Sequence, residues 1–122
     1  MNVVLWICQG VLAVVFAGSG AVKATRSKER LIESGQTGVA PLPLPAIRLV
    51  AVAELLAAVG LVLPWLLDVA RVLTPLAAVG LAIVMVGAAV IHGSRREPRA
   101  VVVNAVLLAL CVVVAAGRFA VA

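Results

Sequence analysis

Glu54 is the acidic residue whose position in the chain most suggests chemistry. It lies in a long apolar stretch, about residues 46–67, in which the other charged residue is Arg48. If that stretch crosses a membrane as a helix, a rise of 1.5 Å per residue puts Glu54 about 12 Å inside the membrane edge. A lone charge there costs about 2.5–3.5 kcal/mol, so partners must offset it, and an ionisable residue at such a depth is a functional candidate.

Other polar residues have the types and positions to be those partners. In a bundle whose helices alternate in direction, all of them fall in the same half of the membrane as Glu54. Together with Glu54 itself, the predicted cluster consists of Ser19, Lys23, Arg48, Glu54, His92 and Asn104. A lysine or arginine can pair with the carboxylate, and the imidazole, amide and hydroxyl groups can form hydrogen bonds to it or to a ligand.

Two interpretations of this cluster are open. In the first, Glu54 forms a buried ion pair with Lys23 or Arg48 that sets the helix register, while the histidine and the amide bond backbone groups. In the second, the cluster lines a polar cavity that binds a lipid head group, a quinone ring or a proton. Glu54 would then accept or relay a proton, and His92 would hydrogen-bond a carbonyl.

Metal and disulfide chemistry are poorly supported. One histidine and one buried glutamate without a neighbouring cysteine make a weak ligand set, so we expect no metal site. Cys8 and Cys111 are too few and too far apart in sequence for a disulfide framework. A bridge between them, or a redox role, requires the first and last apolar stretches to touch, and buried cysteines are usually inert.

The composition identifies the class of protein. The chain has 122 residues, of which 65% are hydrophobic and 12% charged, and its mean hydropathy is +1.25. Soluble domains carry roughly 25% charged residues, and a soluble fold this small cannot cover so much apolar surface. We therefore expect an integral membrane protein. The net charge of +5, with few stacking aromatics, does not indicate a nucleic-acid partner.

Four stretches reach the roughly 20 apolar residues that a membrane-spanning helix needs, at about 3–22, 46–67, 72–91 and 100–118. The short connections 68–71 and 92–99 require antiparallel neighbours. The prediction is therefore an all-α, integral membrane, antiparallel four-helix bundle forming one domain over residues 1–122. The long link 23–45 should contain a short amphipathic surface helix that ends at Gly35, followed by an extended segment, Pro41–Pro45.

The distribution of cations predicts the orientation in the membrane. Seven Lys and Arg residues lie in the first and third links, against two, Arg71 and Arg118, on the opposite side. By the positive-inside rule, links 23–45 and 92–99 face the cytoplasm and both termini face outward. Gln9 and Arg118 then fall near the outer interface. Gly80 and Gly87 share one stripe, which indicates close packing within the bundle or a homo-oligomer contact.

Short features that occur in order along the chain carry a family resemblance. They are Gly18-Ser-Gly-Ala-Val-Lys23, Arg48-Leu-Val-Ala-Val-Ala-Glu54, Leu63-Pro64, Leu73-Thr-Pro-Leu76, His92 and Asn104. Together with the length and the number of spans, they resemble the DoxX-like family of small bacterial membrane proteins. The resemblance implies a bacterial plasma membrane. The family's namesake is the small subunit of an archaeal thiosulfate:quinone oxidoreductase, and wider relatives include a receptor-assembly chaperone in animals.

The resemblance also implies a function. We expect a non-catalytic or accessory subunit of a quinone-linked membrane oxidoreductase, with a membrane or peripheral redox partner. A quinone or lipid, rather than a covalent cofactor, would occupy the polar cluster. A small proton-coupled transporter is an alternative, although the first span lacks the carboxylate of the small multidrug-resistance proteins. A membrane-protein assembly factor without a small ligand is another, and its sensitive region would be the link 23–45.

Overall fold

Four long helices make up most of the molecule. The computed structural model describes residues 2–121, and within that range it contains helices and turns but no strand. The helices are α1 (Asn2–Thr25), α2 (Lys28–Glu33), α3 (Leu44–Leu66), α4 (Leu73–Ser94) and α5 (Pro98–Phe119), with one 3₁₀ turn at Thr37–Val39. All except α2 are long and apolar enough to cross a membrane. The prediction of an all-α antiparallel four-helix bundle is confirmed, with helix ends displaced by one to three residues.

The long helices form a ring in which α1 packs on α3, α3 on α4, α4 on α5, and α5 back on α1. The main core fills the middle of this ring. Its buried residues are Cys8, Leu12, Phe16, Ala58, Leu61, Ala78, Leu81, Met85, Cys111 and Val114. We call the end of the bundle that carries residues 26–43 the link end, and the opposite end, with residues 67–72 between α3 and α4, the turn end.

Two glycines allow close contact between helices. A Cβ on Gly20 would lie 3.0 Å from the carbonyl oxygen of Ala51 on α3, and one on Gly60 would lie 3.1 Å from Cβ of Ala77 on α4. Small residues permit such approach between helices in lipid. The prediction that Gly80 and Gly87 pack within the bundle is wrong. Both are exposed on α4, and an added Cβ would meet nothing within 4 Å.

The link folds over the end of the bundle and contains the predicted short amphipathic helix. α1 continues to Thr25, and α2 starts only at Lys28, where the Ser27 side chain accepts a hydrogen bond from the N–H of Arg30 as an N-cap. Leu31 is fully buried with Val39 and Ile47 in a second small core. The helix is amphipathic as predicted, because Leu31 packs on the protein while Glu29, Arg30 and Glu33 are exposed.

The two ends of the link follow local backbone rules. Gly35 has a φ of 103°, which favours glycine and ends the helical segment as predicted. The predicted extended segment Pro41–Pro45 is shorter than expected, because Pro43 is the N-cap of α3 and Pro45 lies in its first turn. Proline is tolerated there, since the first N–H groups of a helix need no partner within the helix.

Candidate functional site

A cavity of about 870 Å³ lies inside the link end of the bundle. All four long helices contribute to its wall, and residues of the link lie across it. Five of the six predicted site residues line this cavity, namely Ser19, Lys23, Glu54, His92 and Asn104. Apolar side chains such as Phe16, Met85 and Leu107 form most of the rest of the wall.

Lys23 is the cation that pairs with Glu54. Its Nζ donates a hydrogen bond of 2.8 Å to Oε1 of Glu54, and the two side chains are 12% and 0% exposed. The pair joins the last turn of α1 to α3, at a point about 15 Å along the α3 axis from Leu44. The second carboxylate oxygen, Oε2, is buried and has no hydrogen-bond partner among residues 2–121.

After Oε2 of Glu54, the second buried polar atom without a partner belongs to Asn104. It lies two turns into α5, and its residue is 8% exposed. No group in the described part of the chain accepts a hydrogen bond from its Nδ2. Buried polar atoms are nearly always hydrogen-bonded, and an unpaired one costs about 1–3 kcal/mol. Both atoms belong to residues that line one cavity, and two such atoms need an explanation.

His92 connects the cavity to its cover. Its Nδ1 lies 2.9 Å from Oε1 of Glu97, which also accepts a hydrogen bond of 3.0 Å from Oγ1 of Thr37 in the link. On the other side of the ring, a Cβ added to Gly38 would lie 3.1 Å from Nε2. We call Thr37, His92 and Glu97 the latch, because they fasten the link to the end of α4.

The latch changes the acidity of Glu97, which lies outside the long helices. Two hydrogen bonds lower the pKa of this carboxyl below its ordinary value of 4.5, the larger effect coming from His92 and the smaller from Thr37.

Thr37 and Glu97 were not predicted from the sequence. A carboxylate in a short connection beside Arg95, Arg96 and Arg99 has the pattern of a solvated loop, and only its spacing of five residues from His92 indicates otherwise.

Arg48 lies outside the cavity. Its Nη1 donates to the backbone carbonyl of Lys23 and, at 2.9 Å, to that of Arg26. These carbonyls lie at the C-terminal end of α1, where backbone acceptors lack partners within the helix and a cation is favourable. Of the two cations proposed for Glu54, the structure therefore selects Lys23, and Arg48 caps α1.

At the turn end, Gln9 and Arg118 form a buried polar pair. Nε of Arg118 donates a 2.7 Å hydrogen bond to Oε1 of Gln9, whose Nε2 donates to the carbonyl of Leu61 at 2.6 Å. Both residues lie toward the end of the bundle at which they are predicted, but they are buried inside the protein, where they are 0% and 2% exposed. The argument applied to Glu54, a polar side chain inside an apolar helix, would have indicated Gln9.

The cysteines belong to neither cluster. Cys8 and Cys111 are free and buried, and both lie in the main core. Within residues 2–121, His, Cys, Asp and Glu side chains form no group of three that could hold a metal ion.

The comparisons with known proteins support one family. The sequence profile of the DoxX-like family matches residues 7–114, a range that contains all the predicted site residues. The chain matches no curated protein and no solved structure.

Proposed function

The chain belongs to the DoxX-like family of membrane proteins, and from that premise we propose that its cavity binds the head group of a quinone. In this proposal the protein is an accessory subunit of a quinone-linked oxidoreductase system in the bacterial plasma membrane. Binding and proton exchange belong to this chain, and electron transfer belongs to a partner.

The observation that carries the proposal is the pair of buried, unpartnered polar atoms in two residues that line the cavity. Nδ2 of Asn104 can only donate a hydrogen bond, and Oε2 of an ionised Glu54 can only accept one. A quinone offers carbonyl acceptors, and its reduced form offers hydroxyl donors. A hydroquinone therefore satisfies both atoms, with one hydroxyl donating to the carboxylate and the other accepting from the amide.

The size and polarity of the cavity support the same ligand class. A volume of about 870 Å³ falls within the range of about 300–1,000 Å³ typical of small-molecule sites, which are mostly apolar with a few convergent polar groups. Val15 on α1 and Val103 on α5 line the cavity and are 39% and 57% exposed. In the proposal, the apolar tail of the quinone leaves the cavity between these two helices and enters the bilayer.

The charge distribution supports an orientation with the link end in the cytoplasm. Lys28, Arg30, Arg95 and Arg99 all belong to the link end. At the turn end, Arg118 is buried, which leaves Arg71 as the exposed cation there among residues 2–121. The asymmetry on the surface is thus stronger than the sequence count of seven to two indicates. We propose that both termini face outward.

A binding experiment tests the proposal. The protein is reconstituted in lipid nanodiscs and titrated calorimetrically with a water-soluble, short-tailed ubiquinone analogue, first oxidised and then reduced. We expect saturable binding at one site and tighter binding of the reduced form, because only that form satisfies Oε2. Absence of saturable binding of either form would overturn the proposal. Val106→Ala, on the lipid-facing side of α5, controls for reconstitution.

A proton-coupled transporter is the second candidate, and the buried ion pair of Lys23 with Glu54 beside the cavity favours it. It predicts proton-driven uptake of a solute by proteoliposomes, and loss of uptake in Glu54→Gln. An assembly factor without a small ligand predicts instead that deletions in the link abolish activity while Asn104 variants remain active.

A further inference from the structure

The turn end contains a cluster of two arginines and two tryptophans that the cavity does not involve. The guanidinium carbons of Arg71 and Arg118 lie 4.0 and 4.4 Å from the ring centroid of Trp65. Arg118 also lies 5.4 Å from the ring of Trp6. We call these four residues the arginine–tryptophan cluster. Because both arginines stack on one ring, their charges are held close together.

These two charges have little acidic compensation. Both polar partners of Arg118 are neutral amide oxygens, Oε1 of Gln9 at 2.7 Å and Oδ1 of Asn2 at 2.8 Å. Its Nη2 is buried without a hydrogen-bond partner in the described part of the chain. Of the five acidic residues, Asp68 is the one at the turn end. It is 77% exposed, and its Oδ1 lies 3.4 Å from Nε of Arg71.

The backbone adds positive potential at the same place. Helix α4 begins at Leu73, two residues after Arg71. The N–H groups of Leu73 and Thr74 donate to the carbonyls of Ala70 and Arg71, so the backbone contributes only the dipole of this 22-residue helix, whose N-terminal end favours anions. The turn is also at the membrane surface, the level at which tryptophan rings and lipid phosphates meet.

We propose that the arginine–tryptophan cluster binds a phosphate group, carried by a phospholipid head group or by a soluble phosphate. Arg71, whose side chain is 41% exposed, receives the phosphate at the surface, and Nη2 of Arg118 donates to it from below. Planar guanidinium groups suit phosphate oxygens because they present several N–H donors in a fixed geometry. This site lies at the opposite end of the bundle from the cavity and does not depend on the proposed function.

The two tryptophans of the chain both belong to this cluster, so intrinsic fluorescence reports on it alone. The full chain is placed in phosphatidylcholine nanodiscs that contain increasing fractions of brominated phosphatidylglycerol or, in parallel, brominated phosphatidylcholine. Bromine quenches nearby tryptophan. We expect the anionic lipid to quench at lower mole fractions than the zwitterionic lipid. In Arg71→Gln the half-quenching fraction should rise about fivefold, since one surface arginine contributes roughly that factor to binding of an anionic lipid.

Matched variants and a second arm make the result decisive. Arg99→Gln, at the link end of α5, should quench like the wild type. Arg118→Lys keeps the charge but loses the planar fork, and should bind more weakly if Nη2 contacts the phosphate. If the lipids do not differ but inorganic phosphate shifts the emission of the wild type and not of Arg71→Gln, a soluble phosphate is the ligand. Equal quenching by both lipids with no response to phosphate would overturn the proposal, as would selectivity that survives Arg71→Gln.

Discussion

Nζ of Lys23 and Oε1 of Glu54 are 2.8 Å apart, and both residues line a cavity whose wall is mostly apolar. This ion pair joins α1 to α3 and leaves Oε2 of Glu54 free of partners among residues 2–121. Glu54 therefore holds two helices together through Oε1 and has a second oxygen, Oε2, that can accept a hydrogen bond. Lys23 offsets the cost of placing the carboxylate in the membrane, while the second oxygen can accept a hydrogen bond from the ligand that we propose.

Removing the cation should destabilise the protein because it leaves an uncompensated buried charge. We expect Lys23→Met to lower the free energy of unfolding by about 3–5 kcal/mol. The double variant Lys23→Met/Glu54→Gln should recover much of that loss. The measurement is denaturant unfolding in detergent micelles. Arg30→Met, at an exposed position in α2, is the control. A single variant as stable as the wild type would contradict this account of the ion pair.

Asn104 separates a binding role from a structural one. We expect Asn104→Leu to weaken binding of the reduced quinone analogue about tenfold, because it removes a buried hydrogen-bond donor. Stability should stay equal or increase, since Nδ2 has no partner in the described chain whose loss would cost energy. Calorimetric titration and thermal unfolding on the same sample measure both effects. Unchanged affinity together with reduced stability would show that the amide serves packing alone.

The latch should depend on the charge of Glu97. The pKa of Glu97 is lowered in the folded protein, so the latch contributes its full stability above the unfolded value of 4.5 and loses it as the pH falls through the lower, folded value. Hydrogen exchange of residues 34–42, corrected for the intrinsic rate, should therefore increase below about pH 4.5.

Variants identify the latch as the cause of that change. Glu97→Gln should raise exchange of residues 34–42 already at pH 7, and Thr37→Val should raise it less because it removes one of the two hydrogen bonds. Glu33→Gln, at an exposed position in α2, should behave like the wild type. Protection of the link that is independent of both pH and Glu97 would contradict the latch.

Arg48 should affect the link and not the ligand. We expect Arg48→Met to raise hydrogen exchange at the end of α1 and to cost about 1 kcal/mol, because two carbonyl acceptors lose their donor. Affinity for the quinone analogue should change less than twofold. A loss of affinity as large as that of Asn104→Leu would show that Arg48 takes part in binding the ligand.

The positions of polar residues along each helix could be read from the sequence. Glu54, Lys23, His92 and Asn104 were assigned to one half of the bundle from their distances to the ends of apolar stretches, and they line one cavity. Residues in loops could not be treated this way. Thr37 and Glu97 lie in connections whose conformation depends on the helices they join, so their meeting at His92 has no periodic signal.

The apolar length of each stretch determined the four helices, because a bilayer requires about 20 residues whose backbone hydrogen bonds close within the segment. The short connections 68–71 and 92–99 determined that neighbouring helices alternate in direction. The tertiary structure decided the rotation of each helix about its axis and the order of helices in the ring. These depend on how side chains pack between neighbours, which apolar residues on every side of a helix do not specify. For that reason Arg48 caps α1, Lys23 pairs with Glu54, and Gln9 meets Arg118.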